Sequence, residues 1–271
     1  MASDRDVEPM WAVESGVRPS PPEGTPSLIA HRGFAGQYPE NTVGAIRAAG
    51  KEADWIEIDC RPTADGDLAV FHDHRLDRLT ARSGLVARTP SEVVFGTEVL
   101  ESDFSIPRLD RALAAVPQDV GVVLDLKGRF GVLSTGDGPA ENWDWVRSAL
   151  DTLAGFDHRV LVSTFWEGAL AAVSEGSDVP TAVLFGEDPE TGLALARRYG
   201  CTAIHPAAYL LTDAAVGDRT DLVDRAHESG MRINVWSPAT RYEAALLAAS
   251  DVDGVITDYS DVLTPRRVLP P

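Results

Sequence analysis

Cysteine is almost missing from this chain: Cys60 and Cys201 are the only two in 271 residues. That excludes a disulfide framework, and two reduced thiols fit a cytoplasmic location. No apolar run approaches the roughly 18 residues that a membrane-spanning helix needs. The first residues carry Asp4, Asp6 and Glu8 and no apolar core of a signal peptide, which again points to the cytoplasm. Basic residues are scarce: Lys and Arg number 24 against 42 Asp and Glu, a net charge of -18. Such a surface repels nucleic-acid backbones and anionic membranes, so no nucleic-acid partner is expected, and its plain consequence is solubility. A repeat of 20–50 residues is absent. So is a G-x-G-x-x-G phosphate loop, because the turn after the first strand reads His31-Arg32-Gly33-Phe34-Ala35-Gly36.

What the chain does have is a globular composition, with 44% hydrophobic residues, and an alternation of two periodicities. Residues 1–26 contain Pro19, Pro21, Pro22 and Pro26 and no periodic pattern, and read as a disordered N-terminal arm. From Ser27 onward, short β-branched runs alternate with alanine-rich amphipathic stretches, the pattern of parallel βαβ units. Strands are expected at Leu28–His31, Trp55–Cys60, Leu68–His72, Gly121–Leu126, Val160–Thr164, Thr181–Phe185, Ala203–His205 and Arg232–Trp236. Eight strands with intervening helices predict an α/β fold, a (β/α)8 TIM barrel over residues 27–263, followed by a short tail at 264–271. After the third strand, residues 73 to about 105 run long without sustained helical periodicity, broken by Gly84, Pro90 and Gly96. They predict a small insertion lying over the site.

The chemistry-bearing residues fall at strand ends, which converge on one mouth of a barrel. Glu57 and Asp59 are two apart on one strand and share a face; Asp125 and Lys127 repeat that spacing. His31 ends the first expected strand and His72 the third. Three converging carboxylates need a cation among them, and an all-oxygen set suits Mg²⁺ or Ca²⁺ rather than zinc. Two imidazoles supply a general acid and a general base, and Arg32 and Lys127 are suited to non-bridging phosphate oxygens. Each motif alone has a bland explanation: a Glu-x-Asp pair is commonly a solvated face, and an Asn-Thr pair such as Asn41-Thr42 is commonly a helix cap. Phe165 and Trp236 at strand ends are placed to line a pocket or to pack in the core. His205 ends the seventh strand, and Cys60 faces the helices as a small core residue.

His31-Arg32-Gly33, Pro39-Glu40-Asn41-Thr42, Glu57-Ile58-Asp59, Thr63-Ala64-Asp65-Gly66 and Phe71-His72-Asp73, in that order over about 45 residues, resemble the opening signature of glycerophosphodiester phosphodiesterases. The resemblance continues through Ile106-Pro107-Arg108-Leu109, Leu124-Asp125-Leu126-Lys127, Ser163-Thr164-Phe165, Val235-Trp236 and Gly254-Val255-Ile256-Thr257-Asp258. It implies a role in lipid metabolism: hydrolysis of small-molecule glycerophosphodiesters to sn-glycerol 3-phosphate and an alcohol. It also implies that His31 and His72 are the acid/base pair, that Glu57, Asp59 and Asp125 bind a divalent metal, and that Arg32 and Lys127 contact phosphate. The sequence departs from the family pattern at Asp125, where glutamate is usual, and at Ser237-Pro238-Ala239-Thr240, where Thr-Val-Asn is common. Two other readings stand beside this one: a lysophospholipase D or sphingomyelinase D-like enzyme, favoured if Leu76, Leu79, Leu85, Val93, Val94 and Phe95 line an apolar groove, and a non-catalytic ligand-binding barrel.

Overall fold

The computed structural model describes residues 24–129, 142–213 and 221–263; the expected N-terminal arm up to residue 23 and the tail at 264–271 lie outside them. Nine strands occur among the described residues: β1 Ser27–Ala30, β2 Trp55–Pro62, β3 Leu68–Val70, β4 Gly121–Leu126, β5 Val160–Thr164, β6 Thr181–Phe185, β7 Ala203–Pro206, β8 Arg232–Trp236 and β9 Gly254–Thr257. Eight of them pair in parallel in the order β1-β9-β8-β7-β6-β5-β4-β2, and β1 pairs back to β2, closing the barrel. Helices on the outside are α1 Val43–Ala49, α2 Ser91–Phe95, α3 Leu109–Leu113, α4 Val146–Leu153, α5 Glu167–Gly176, α6 Pro189–Arg198, α7 Tyr209–Thr212, α8 Asp221–Glu228 and α9 Arg241–Ala248.

The expected barrel is therefore present, but one stave was expected in the wrong place. Leu68–Val70 is no stave: it pairs antiparallel with the far end of β2, Cys60 opposite Val70 and Pro62 opposite Leu68. The turn between them, with Gly66 at φ 87°, is a hairpin turn. The eighth stave is instead β9, whose four residues are flanked by Asp253 and Asp258. A three- or four-residue apolar run has the same pattern whether its neighbour is parallel or antiparallel, so only the pairing separates the two cases.

Side-chain alternation divides the core into an inside and an outside. Inward positions Ile29, Val123, Leu161, Ala182, Ala203 and Ile256 pack together in the barrel interior, with Trp55 and Trp236 against them. Outward positions such as Ile56, Ile58, Cys60, Val122 and Leu124 pack on α1, α3 and α4, and Val183, Ile204, Ile233, Val235 and Val255 pack on the helices of the other half. Each such Leu, Ile or Val contributes about 1.5–3 kcal/mol by leaving water. Cys60 is wholly buried on that outer face, as its position beside Asp59 predicts. Thr42, not Asn41, caps α1: its Oγ1 accepts from Ala45 N at 3.1 Å.

The segment after β3 builds its own small core from Phe71, Leu76, Leu79, Val86, Val94, Val99 and Ile106 on Ala69. It contains one 3₁₀ turn, Val86–Arg88, and the short α2. Leu76, Leu79 and Val94 are at most 3% exposed inside that core, so they form no open apolar groove. Arg61, itself buried, donates to the carbonyls of Phe71, His72 and Gly128 and so ties the hairpin arm to the end of β4.

Candidate active site

The site begins with backbone strain. After β1 the chain turns through His31–Gly33, and Arg32, Gly33 and Phe34 all have positive φ, at 50°, 76° and 66°. Glycine is required in the middle, because a Cβ at Gly33 would lie 2.9 Å from the backbone of Ala45. Arg32 and Phe34 adopt a conformation that costs L-residues about 1–3 kcal/mol each. The strained turn points the Arg32 amide at Glu57 Oε2, 2.8 Å away, and brings His31 over the mouth.

Strand register does the rest. Asp59 lies opposite Asp125, and Asp125 opposite Ser163, on adjacent parallel staves. Glu57 is on the same face of β2, two residues earlier. One oxygen from each of Glu57, Asp59 and Asp125 lies within 4.8 Å of the others, and all three residues are buried. Lys127 Nζ is 3.0 Å from Asp59 Oδ1 and also bonds Asp125 Oδ2; Arg32 Nε is 3.2 Å from Asp59 Oδ2. Asn41, at φ 61°, holds Asp59 from the other side, its Nδ2 donating to Oδ2 at 2.7 Å and its Oδ1 accepting from the Asp59 amide at 3.2 Å.

Three carboxylates against two cations leave one negative charge in excess in a dry place. Burial pushes Glu57 well above the usual carboxylate range, and the charges of Asp59 and Asp125 push it further. Burial likewise raises Asp125, with Lys127 opposing. Asp59 goes the other way: burial would raise it, but Lys127 and Arg32 overcome that and hold it well below its usual value. Lys127 keeps its proton more tightly than an ordinary lysine, because Asp125, Asp59 and Glu57 outweigh its burial. Asp125 Oδ1 is buried without a hydrogen-bond partner. A buried, all-carboxylate oxygen set with an unused acceptor fits a hard divalent ion such as Mg²⁺ or Ca²⁺.

His31 and His72 share one design. His31 Nδ1 meets Asp258 Oδ1 at 2.6 Å, and His72 Nδ1 meets Asp73 Oδ1 at 2.6 Å. Asp258 remains ionised below the usual range; burial works against this, but the His31 bond outweighs it. A carboxylate on Nδ1 fixes the Nδ1–H tautomer and leaves Nε2 to face a ligand. His72 does not end a barrel strand, as the sequence pattern suggested; it lies two residues past β3, on the hairpin arm folded over β2. Both histidines nevertheless line one cavity of about 210 Å³, together with Arg32, Glu57, Asp125, Lys127, Phe165 and Trp236. Asp59 lies behind that wall, fully buried.

The aromatic residues expected at the pocket are there. Phe165 and Trp236 meet edge to face, ring centres 5.5 Å apart, and Lys127 Nζ lies 5.6 Å from the centre of the Phe165 ring. Trp236 Nε1 donates to the His205 carbonyl at 2.8 Å. Trp166 and Trp143 pack on each other at 5.9 Å. Asp258 is a residue for which the sequence suggested no role at the site, whereas the resemblance implied that Glu40 and Asn41 position His31 or its loop, and Asn41 is found on Asp59 instead. Asp258 stands in the Gly254–Asp258 motif, the one signal that points to it; nothing local pairs it with His31, 227 residues away.

With this geometry in place, comparison with known proteins is informative. Residues 31–262 match the model of the glycerophosphoryl diester phosphodiesterase family. The chain belongs to that family. It is 28% identical over 242 residues to a glycerophosphodiester phosphodiesterase of Bacillus altitudinis, covering 86% of this chain and 95% of that protein. It is 25% identical over 250 residues to one of Caldanaerobacter subterraneus, covering 87% and 95%. Among solved structures, an Oleispira antarctica phosphodiesterase in complex with the product sn-glycerol-3-phosphate superposes with a TM-score of 0.76 at 24% identity, covering 88% of this chain and 95% of that one. A glycerophosphodiester phosphodiesterase of Agrobacterium tumefaciens superposes at 0.71 with 22% identity, covering 88% and 98%. The TIM barrel and the membership in a family of phosphoric diester hydrolases thus agree with the sequence motifs. Among the described residues, no helix is long and apolar enough to cross a membrane.

Proposed function

We propose that this protein hydrolyses glycerophosphodiesters to sn-glycerol 3-phosphate and an alcohol, using a divalent ion, Mg²⁺ or Ca²⁺, held by Glu57, Asp59 and Asp125. One observation carries the reading: two imidazoles, each with Nδ1 on a carboxylate, line the same cavity as a buried cluster of three carboxylates. The bound ion supplies charge neutralisation and Lewis acidity at the phosphoryl oxygens. The chain's own residues do the rest. Arg32 and Lys127 present cations to the non-bridging oxygens. One histidine takes the proton of the attacking hydroxyl at Nε2, whether that hydroxyl belongs to water or to the neighbouring glycerol carbon. As the new P–O bond forms and the bond to the leaving oxygen breaks, the other histidine gives that oxygen its proton. Asp258 and Asp73 keep both rings in the tautomer this exchange needs. Phe165 and Trp236 exclude water on the far wall and shape the space for the alcohol. The segment at 73–105 acts as a cap whose first residue, Asp73, holds His72.

Leu76, Leu79, Val86, Val94 and Val99 of that cap are spent in its own core, which argues against an acyl-chain groove built from them and so against a lysophospholipase D. A cytoplasmic location accords with the free, buried thiols of Cys60 and Cys201. The test is a panel of glycerophosphodiesters and lysophospholipids, assayed with Mg²⁺, Ca²⁺ and Mn²⁺ and with a chelator, with product read by ³¹P NMR. Release of sn-glycerol 3-phosphate that stops on chelation and returns with the ion is expected. Full turnover by metal-free protein in excess EDTA, or turnover of lysophospholipids alone, overturns the proposal.

A further inference from the structure

Arg78 does not touch the cavity, yet it holds the cap to the barrel. Its Nε and Nη2 donate to the two oxygens of Asp73 at 2.6 and 2.9 Å. Its Nη1 and Nη2 donate to the two oxygens of Glu40 at 2.9 and 2.8 Å. One guanidinium thus grips two carboxylates, both in two-pronged fashion. Asp73 is the residue on His72 Nδ1. Glu40 belongs to the barrel, in the loop before α1, and is fixed there by Arg32 Nη1 at 2.9 Å. Glu40 is 7% exposed, whereas the Arg78 side chain is 46% exposed. Anchor and catalytic ring therefore stand on different parts of the chain, 32 residues apart, and the Arg78 guanidinium that spans them comes from the cap.

We propose that Arg78 is a positioning residue for His72, locking Asp73, and through it the imidazole, to the buried Glu40 of the barrel. The physical need is plain. Asp73 has two freely rotating side-chain bonds and is exposed enough for water to replace His72 as its partner. With both of its oxygens occupied by a planar fork, the carboxylate keeps a single orientation, and the 2.6 Å bond to Nδ1 follows from it. Both carboxylates are held below the usual range; burial opposes this, and Arg78 is a principal cause for each. A lysine cannot reproduce the arrangement, since an ammonium is a point charge without the fixed fork. The Arg78 side chain is 46% exposed, so water can reach both carboxylates in its absence, and Arg32 still holds Glu40; the value of the bridge therefore lies more in geometry at His72 than in the fold.

This inference rests on the proposed role of His72, and its test separates the two. The full-length protein, loaded with the activating ion, is assayed as wild type, Arg78→Ala, Arg78→Lys, His72→Ala and the His72→Ala/Arg78→Ala double variant. Arg78→Ala is expected to lower kcat by about 10- to 100-fold, the scale for losing the partner that orients a functional imidazole, with KM changed less than about threefold and thermal midpoint nearly unmoved. Arg78→Lys should not restore it. Because the site of Arg78 opens to solvent, guanidinium ion at tens of millimolar should rescue Arg78→Ala, while equal NaCl or urea does not and His72→Ala gains nothing. In the double variant the Arg78 change should cost nothing beyond His72→Ala. Near-wild-type kcat in Arg78→Ala overturns the proposal, as does a further full loss in the double variant. A loss that tracks a fall in thermal midpoint, or that guanidinium does not relieve, also overturns it in favour of a structural role. Where Arg78→Ala is insoluble, Arg78→Gln with the same guanidinium arm decides. A wild type that hydrolyses no phosphodiester, or a fully active His72→Ala, brings down the proposed function instead.

Discussion

Ion binding at Glu57, Asp59 and Asp125 should release a proton. The cluster sets three acids against Arg32 and Lys127, and its charge closes to neutral with one proton retained. Burial and the two neighbouring acids place that proton on Glu57, well above the usual carboxylate range. A divalent ion needs the ionised form, so binding displaces about one proton. The apparent association constant should then rise about tenfold per pH unit wherever Glu57 still holds its proton, about 1.4 kcal/mol per unit. The sign for stability is opposite in the ion-free protein. A folded-state value raised above the unfolded one contributes stability at low pH that is lost as pH rises through it. Ion-free protein should therefore lose thermal stability as pH rises above the usual carboxylate range, while stabilisation by the ion grows over the same range. Calorimetric titration in buffers of different ionisation heat counts the proton directly. Glu57→Gln copies the protonated state, keeps an acceptor for the Arg32 amide, and should abolish the release. It should weaken binding by more than the roughly 10–100-fold typical of outer-shell partners. Binding enthalpies that do not vary with buffer, together with a pH-independent affinity, would refute this charge count.

His205 is wholly buried and its value falls to about 3 from 6.5, because burial disfavours the charged ring. Its folded state thus binds a proton less tightly than the unfolded state. Stability present above about pH 6.5 should fall as pH drops toward 3, by about 3–5 kcal/mol relative to His205→Gln in denaturant titrations; parallel pH profiles for the two proteins would refute it. Replacing His31 or His72 with alanine should lower kcat by on the order of 10²–10⁴ on a glycerophosphodiester. One of the two variants should recover much of that loss on a p-nitrophenyl diester, whose leaving group needs no proton, and Asp258→Asn should cost about 10–100-fold. Unchanged rates on the natural-type substrate in both alanine variants would make the histidines structural.

What the sequence determined by itself is what short-range periodicity can encode. A period of two on β2 put Glu57 and Asp59 on one face and Cys60 on the other, and the same spacing on β4 paired Asp125 with Lys127. Alternating strand and helix patterns implied a barrel, and a barrel implied that residues at strand ends meet. The length and broken pattern of 73–105 marked an insertion. Tertiary structure decided everything that depends on a partner. Leu68–Val70 reads as a stave in isolation and becomes a hairpin arm because β2 runs on to Pro62 to receive it. Gly254–Thr257 has the same short apolar pattern as Leu68–Val70, and becomes the closing stave because both β1 and β8 pair with it. That closure is what carries Asp258 to His31, across 227 residues. Asn41 reads as a helix cap, but its left-handed backbone turns it onto Asp59 and leaves the cap to Thr42. The leucines and valines of the insertion are apolar in either reading. Whether they line a groove or fill a core depends on how the segment folds back on Phe71 and Ala69, and Leu76, Leu79, Val86, Val94 and Val99 fill a core. Side-chain period says which way a residue faces; which residue it meets there is settled only by chain closure.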